Sequence, residues 1–291
     1  MKRLSTFGAW RNLVTLSLKG ERQRGIMDDD KANRETQPSG NEKGSASERF
    51  SAFWHIWFPG MLFAALVLVF ELTDLDLYCS DLFYDFSRGQ FYWKRTWWAN
   101  DLIHKGGYFA IEGLVIFALA LLVLSFLKRG PRLVNAQRAL TFFLLSVAIG
   151  PGTVATWKQV SNRPLPVEVQ RYGGKAPYIK LFHGTHRGSK RFKGFPAAHA
   201  SGGYSLMALY FILRKRGRRA ALAGLALGLA VGTVFAFGQQ VRGVHFASHN
   251  VWAAAICWYG SLLLFLFPFR RNVNGPLFLR RRKWNMTTEG P

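Results

Sequence analysis

Six long apolar runs constrain this 291-residue chain more than any other feature. A helix needs about 20 mostly apolar residues to cross the hydrocarbon core of a bilayer. The runs that come close to this length are 54–72, 107–127, 139–157, 200–213, 220–237 and 251–269. One such run is compatible with a buried helix of a soluble protein, but six in succession favour membrane spans. The fifth is rich in Gly and Ala, which predicts close helix packing.

The charge of the chain supports this interpretation. The formal net charge is +23, yet only 19% of the residues are charged and 49% are apolar. A chain of this kind either binds a polyanion or lies in a membrane with basic loops. Charge spread over a soluble surface rarely leaves long neutral runs, so the sequence argues against a soluble nucleic-acid-binding domain. It predicts an all-α, six-span integral membrane helical bundle.

The basic residues also predict an orientation. With six spans both termini face one side, and that side, with the loops 128–138 and 214–219, receives 25 Lys and Arg against 14 on the other. By the positive-inside rule both termini are cytoplasmic. The predicted organisation is a mobile cytoplasmic tail at 1–51, a six-helix membrane domain at 52–269 and a basic cytoplasmic tail at 270–291.

Three polar clusters interrupt the apolar pattern. The first, 158–171, follows the third run, and the second is His199 at the start of the fourth. The third lies between the fifth and sixth runs and contains Arg242, His245 and His249. In a six-span topology all three clusters face the same side, opposite the termini. The sequence therefore predicts a site at the outer, periplasmic face.

The order of these clusters resembles the type 2 phosphatidic acid phosphatase (PAP2) superfamily of membrane lipid phosphatases. That family carries Lys-x6-Arg-Pro, then Pro-Ser-Gly-His, then Ser-Arg-x5-His-x3-Asp, on a core of six helices. The second motif matches at 196–199 and the third at 243–248, with His245 at the position of the family's nucleophile. The resemblance covers about 54–269 and implies the family's fold and activity.

The first two motifs depart from the family pattern. Four residues separate Lys158 from Arg163, instead of six, so Arg171 is a second candidate for the role of the motif's arginine. Ala197 and Ala198 replace the family's Ser-Gly, which removes one hydroxyl donor.

The third motif departs as well. Gln239 stands where the family has its arginine, while Arg242 lies three residues before His245. His249 replaces the aspartate that orients the nucleophile in the family. The pattern indicates a divergent branch.

The chemistry of these residue types suits phosphoryl transfer. A phosphate dianion needs convergent cations, and the candidates near the motifs are Lys158, Arg163, Arg171 and Arg242. A neutral imidazole, His245, can attack phosphorus and form a covalent intermediate. His199 can protonate the leaving alkoxide and then activate water. The resemblance implies the same roles, and His249 could accept the ring N–H of His245.

Metal binding is the alternative for the histidines. Zinc and magnesium sites usually contain carboxylates or a third histidine. The outward segments 158–198 and 238–250 contain one carboxylate, Glu168, although His183 and His186 are also available. The sequence predicts no metal and no other cofactor.

These features together predict a metal-independent lipid phosphatase of the bacterial inner membrane, with a phosphorylated lipid and the bilayer as partners. The substrate is a lipid phosphomonoester or pyrophosphate; candidates are lipid A, undecaprenyl pyrophosphate, phosphatidylglycerophosphate and phosphatidic acid. A lipid phosphotransferase and a catalytically inactive lipid-phosphate binder or transporter remain alternatives. The oligomeric state stays open.

An excess of basic over acidic residues in one outward segment gives information about the substrate. Segment 158–193 holds nine Lys and Arg against Glu168. This surplus favours a head group with several phosphates. General attraction to anionic lipid is the competing explanation.

Overall fold

The computed structural model describes residues 40–127, 130–185, 188, 190–267 and 269, with side chains from Phe53 onward. The chain divides into two compact units, 1–60 and 61–291. The described part of the first unit is the beginning of a helix that starts at Gly40, inside the segment predicted as a tail. Residues 1–39 and 271–291 lie outside the described residues, so both predicted tails stay predictions.

The described chain is mostly helical, which confirms the all-α prediction. Its α-helices are α1 (Gly40–Leu72), α2 (Leu75–Asp81), α3 (Gly107–Leu127), α4 (Pro131–Val160), α5 (Ala198–Tyr204), α6 (Ala208–Leu213), α7 (Arg218–Gln240) and α8 (Ala247–Leu266). A π-helix, Trp98–Gly106, runs directly into α3. The short 3-10 turns are Pro166–Glu168, Gln170–Tyr172, Ser205–Met207 and Arg214–Arg216. A small antiparallel hairpin pairs β1 (Tyr84–Asp85) with β2 (Gln90–Phe91).

Five helical segments are long and apolar enough to cross a membrane. They are Phe53–Leu72, Trp98–Leu127, Pro131–Val160, Arg218–Gln240 and Ala247–Leu266. Many of their large apolar side chains are exposed, among them Leu68, Phe117 and Leu263. Exposed apolar surface of this extent is unfavourable in water and favourable against lipid tails. The prediction of a multi-pass membrane protein is confirmed.

The predicted fourth span, 200–213, is divided among α5, the turn Ser205–Met207 and α6. Neither helix is long enough to count as a span by itself. Every residue from 203 to 208 is buried, because α5 packs against α4, α7 and α8. This segment is enclosed by other helices rather than by lipid. Six spans therefore remain a prediction, beside the five that length and composition support.

A row of glycines brings α7 against this enclosed segment. Gly224, Gly228 and Gly232 recur every four residues and share one face of the helix. A Cβ atom added at Gly228 would lie 2.4 Å from the backbone nitrogen of Met207, and one at Gly232 would lie 2.1 Å from the Tyr204 ring. The backbones meet more closely than any other residue would allow, as the Gly and Ala content of this run predicts.

We expect Gly228→Ala to destabilise the protein, because the added methyl group meets backbone atoms that cannot rotate away. Overpacking of this kind costs about 1–3 kcal/mol, measurable as a lower Tm in detergent. Gly113→Ala is the matched control, since a Cβ atom there meets nothing within 4 Å. Equal Tm values for the two variants would contradict close packing at Gly228.

Candidate active site

The third polar cluster forms a buried pair of imidazoles. His245 lies in the loop between α7 and α8 and is 2% exposed, and His249, one turn into α8, is 5% exposed. Their Nδ1 atoms are 3.5 Å apart, and the backbone of Gly194 contacts both rings. Burial lowers the pKa of His245 well below its usual value, and the nearby His249 and Lys158 lower it further. His245 is therefore neutral at pH 7 and retains a lone pair for attack.

The loop that carries His245 has its shape because of one glycine. Gly243 adopts a φ of +71°, and a Cβ atom there would lie 2.3 Å from the Phe91 ring. Its carbonyl accepts the Val167 N–H at 3.0 Å. The loop thereby rests on a small apolar cluster of Tyr84, Phe91, Val169, Tyr172 and Phe246. The hairpin and the segment after α4 fix the backbone beside His245.

Asp76 of α2 caps the helix that carries His249. Its Oδ1 accepts the backbone N–H of Ser248 at 2.8 Å, its Oδ2 accepts the Ser248 hydroxyl, and the Ala247 N–H also faces it. A carboxylate at a helix N-terminus satisfies free N–H groups and complements the helix dipole. Sequence reasoning missed Asp76, because its partner is 172 residues away.

A small polar cavity lies behind this cap. Its volume is about 20 Å³, enough for one water molecule. The polar residues around it are Glu71, Asp76, Arg163, Tyr178, Lys180, Ser248 and His249. Burial raises the pKa of Asp76 to about 6, although the hydrogen bonds from Ser248 lower it. The cap therefore changes charge just below neutral pH.

The raised pKa of Asp76 predicts a pH-dependent stability. The folded state prefers the protonated carboxyl, so wild type loses unfolding free energy as the pH rises from about 4 through about 6. A shift of about two units corresponds to at most about 3 kcal/mol. In Asp76→Asn the unfolding free energy should not fall over this pH range. The measurement is Tm in detergent between pH 4 and pH 7. Asp74→Asn, which removes a solvent-exposed carboxylate, should follow wild type; parallel curves for all three proteins would contradict the assignment.

Two lysines near the imidazole pair lack a counter-ion among the described residues. Lys158 lies half-buried in the last turn of α4, and its charge acts on both His245 and His249. Lys193 lies close enough for the two ammonium groups to repel each other. In the described part of the chain, neither Nζ forms a hydrogen bond or an ion pair. Lys193 belongs to the basic surplus of segment 158–193 and was not predicted as a phosphate-binding residue.

The guanidinium group of Arg163 is already occupied. It is 7% exposed and donates to four backbone carbonyls, those of Ile179, Lys180, Leu181 and Gly184. The residue thus holds loop 179–184 in place. Its side chain lies beside His249, but its donors point to the loop.

Arg171 has a different partner again. Its guanidinium group forms a bidentate salt bridge with the Asp81 carboxylate, with donor–acceptor distances of 2.8 and 2.6 Å. These hydrogen bonds lower the pKa of Asp81. Arg171 also lies over the ring of Phe86. Within the described residues it has no contact with His199, His245 or His249. Of the two candidates for the first-motif arginine, Arg163 alone lies next to a site histidine.

His199 opens α5 and lies in a second group of rings. Its Nε2 is 3.3 Å from the carbonyl oxygen of Ile103, and its ring stacks on Phe235 at 4.8 Å. The edge of His104 approaches at a centroid distance of 4.6 Å. His199 also acts electrostatically on His245. The second and third motifs therefore meet, as the order of the helices predicts.

Arg242 connects this group to the third motif. It donates to Gln239 Oε1 at 3.1 Å and to Asn100 Oδ1 at 2.9 Å, while its buried Nε has no partner among the described residues. The Nε2 of Gln239 is 2.7 Å from Nδ1 of His104. Sequence reasoning missed Asn100 and His104, which lie in a segment without a recognisable motif.

The structure thus brings most of the predicted site residues together at one end of the helices. Those that meet are Lys158, Arg163, His199, Arg242, His245 and His249, whereas Arg171 lies apart from the histidines. Across the described residues, no group of three or more His, Cys, Asp or Glu side chains is placed to hold a metal ion. His186 lies outside the described residues, while His183 pairs with Glu71 at 2.8 Å.

These features define a multi-pass membrane protein with a histidine-rich, cationic site at its helix ends. Residues 139–273, which include all three polar clusters, match the family model of the PAP2 superfamily. The predicted resemblance is confirmed over this segment. The match supports a phosphatase or phosphotransferase that acts on phosphorylated substrates. No curated protein and no solved structure matches the chain.

Proposed function

We propose that this chain is a metal-independent lipid phosphatase that works through a phosphohistidine intermediate. The observation that carries the proposal is a buried, neutral imidazole, His245, beside Lys158. Neither Lys158 nor its neighbour Lys193 has a carboxylate partner among the described residues. A cationic pocket of this kind suits a phosphate dianion, which would supply the missing negative charge. The PAP2 match supports the same class of substrate.

In the first half-reaction His245 attacks phosphorus. Its Nδ1 faces His249, so Nε2 is the nitrogen that forms the P–N bond. The bond between phosphorus and the leaving oxygen breaks, and that oxygen takes a proton from His199. Because Nε2 of His199 donates to the Ile103 carbonyl, the transferred proton is the one on Nδ1. General acid catalysis of this kind contributes about 10²–10⁴-fold.

In the second half-reaction water replaces the leaving group. Nδ1 of His199, now unprotonated, takes a proton from a water molecule whose oxygen attacks phosphorus. The P–N bond breaks and its electron pair returns to Nε2 of His245. Both histidines regain their starting protonation states. If a lipid alcohol takes the place of water, the same steps give phosphotransfer.

The proposed phosphate clamp differs from the predicted set. Lys158 and Lys193 are assigned the main contacts because their ammonium groups have no counter-ion in the described chain, and Arg242 is the third cation. Cations near the transferring group stabilise the charge that develops in the transition state. Arg163 holds loop 179–184 instead, and Arg171 pairs with Asp81.

The proposed location follows from the charge of the loops. We place the site at the outer face of a bacterial inner membrane, with both termini cytoplasmic. The enclosed segment α5–α6 then serves as the sixth span and returns the chain to the cytoplasmic side. The basic turn Arg214–Arg216 after α6 suits that side.

The preferred substrate is a lipid whose head group carries more than one phosphate, such as lipid A or undecaprenyl pyrophosphate. The rim next to the site contains Lys190, Arg191 and Lys193. Lys190 pairs with Glu168 at 3.1 Å, whereas Arg191 and Lys193 are exposed. Lys193 directly precedes Gly194, whose backbone contacts both imidazole rings. Lys158, Lys193 and Arg242 are assigned to the first phosphate, so the charge of Arg191 is additional to theirs and suits a second phosphate group.

The assigned roles predict a graded series of variants. His245→Ala should reduce phosphate release from purified protein to background on a panel of lipid phosphates. His199→Ala should lose about 10²–10⁴-fold, and His249→Ala should lose less, because it only orients His245. His183→Ala, whose exposed imidazole pairs with Glu71, is the control and should keep full activity.

Two results would decide against this assignment. Full activity in His245→Ala would reject the phosphohistidine step, and a wild type that binds lipid phosphates without turnover would favour the inactive binder. Transfer of labelled phosphate to an added lipid alcohol, faster than to water, would identify a phosphotransferase.

The basic rim predicts a substrate preference. We expect the double variant Lys190→Gln/Arg191→Gln to shrink the ratio of kcat/KM for undecaprenyl pyrophosphate to that for phosphatidic acid. The rim charge matters more to the substrate with more phosphate groups. Lys175→Gln, an exposed lysine elsewhere in the loop, should leave the ratio unchanged. If the double variant weakens both substrates equally, the rim only contacts anionic lipid.

A further inference from the structure

A chain of hydrogen bonds ends at a histidine that the proposed mechanism does not use. Asn100 accepts from Arg242, Arg242 donates to Gln239, and Gln239 contacts His104, with distances of 2.9, 3.1 and 2.7 Å. The ring of His104 lies 4.6 Å from that of His199. Three elements supply these residues: the π-helix, the end of α7 and the loop before His245.

The chemistry of these contacts fixes the protons on His104. An arginine can only donate, so the amide oxygen of Gln239 must face Arg242. The amide nitrogen of Gln239 then faces His104 and donates to Nδ1. That nitrogen must carry a lone pair, which leaves the ring proton on Nε2. His104 is therefore held as a neutral imidazole.

The neighbouring His199, in contrast, must be protonated on both ring nitrogens. It must carry a second proton, on Nδ1, to serve as the acid of the proposed reaction. The titratable or charged groups that face it are His104, Arg242 and His245. A positive charge on a ring 4.6 Å away would oppose protonation of His199. Burial is the largest effect that opposes this second proton, and a neutral His104 removes the next largest, the charge of the neighbouring ring.

We propose that Gln239, fixed by Arg242, keeps His104 neutral, and that His104 is thereby a positioning residue which lets His199 hold the proton it donates. The inference rests on the proposed function, in which His199 is the acid. The charged groups near His104 besides His199 are Arg242 and Lys105, and Lys105 is paired with Asp101 at 2.7 Å. The hydrogen bond from Gln239 occupies the lone pair on Nδ1, and it opposes a second proton on His104 in addition to burial and Arg242.

Gln239→Glu tests this inference. The carboxylate still accepts from Arg242, but it presents an oxygen to His104 and should draw a proton onto Nδ1. Nitrogen NMR of protein labelled at histidine, in lipid nanodiscs, reports each ring nitrogen directly. At pH 7 the wild-type His104 should show a protonated Nε2 and an unprotonated Nδ1. In Gln239→Glu both nitrogens should be protonated, and His199 should lose its proton at a pH about 1–3 units lower.

His104→Phe provides the matched background, because it keeps a ring beside His199 and removes both nitrogens. The effect of a carboxylate on Arg242 is the same in both backgrounds. In His104→Phe, the added Gln239→Glu change should therefore leave the titration of His199 nearly unchanged. In a plot of kcat against pH, the alkaline limb should move to lower pH in Gln239→Glu. It should not move when Gln239→Glu is added to His104→Phe.

Two NMR outcomes overturn the inference. One is a wild-type His104 that is already doubly protonated at pH 7, and the other is an equal shift of the His199 titration in both backgrounds. Activity separates this result from the proposed function. If wild type releases no phosphate from any lipid tested, the function fails, while the NMR titrations still decide whether His104 controls His199.

Discussion

The hydrocarbon core of a bilayer gives no hydrogen bonds to polar groups, and the arrangement of this site depends on that constraint. Apolar helices satisfy their own backbone groups inside the bilayer, and charged side chains collect where the helices end. Here the ends of α4 and α7 and the starts of α5 and α8 bring Lys158, Arg242, His199 and His249 to one place. The site is a consequence of where the helices stop.

The cationic residues near this group differ in whether they have partners within the protein. Arg163 and Arg171 have complete sets of protein partners, four carbonyls for one and Asp81 for the other. The ammonium groups of Lys158 and Lys193 have none in the described chain. A site that binds an anion must keep some cations uncompensated, and these two lysines meet that condition. Arg163 holds loop 179–184, and Arg171 joins the segment after α4 to the end of α2.

The sequence predicted most of the residues assigned to the proposed reaction. It predicted few of the residues that hold them in place. His199, His245 and Lys158 were predicted because they stand at the ends of apolar runs in the order of a known family. Asp76, Asn100 and His104 were not predicted, because each acts through a partner more than 90 residues away. Pairings at such separations depend on which helix ends meet, and no local pattern encodes them.

The sequence by itself determined the membrane class, the helical fold and the identity of the candidate histidines, because apolar run length and motif order are local properties. Only the tertiary structure decided that the fourth run is enclosed and broken into α5 and α6, and that Asp76 caps α8. It also decided which acceptors each guanidinium group binds. Arg163 and Arg171 look equivalent in the sequence, but their donors meet different acceptors, because hydrogen bonds depend on distance and direction in space.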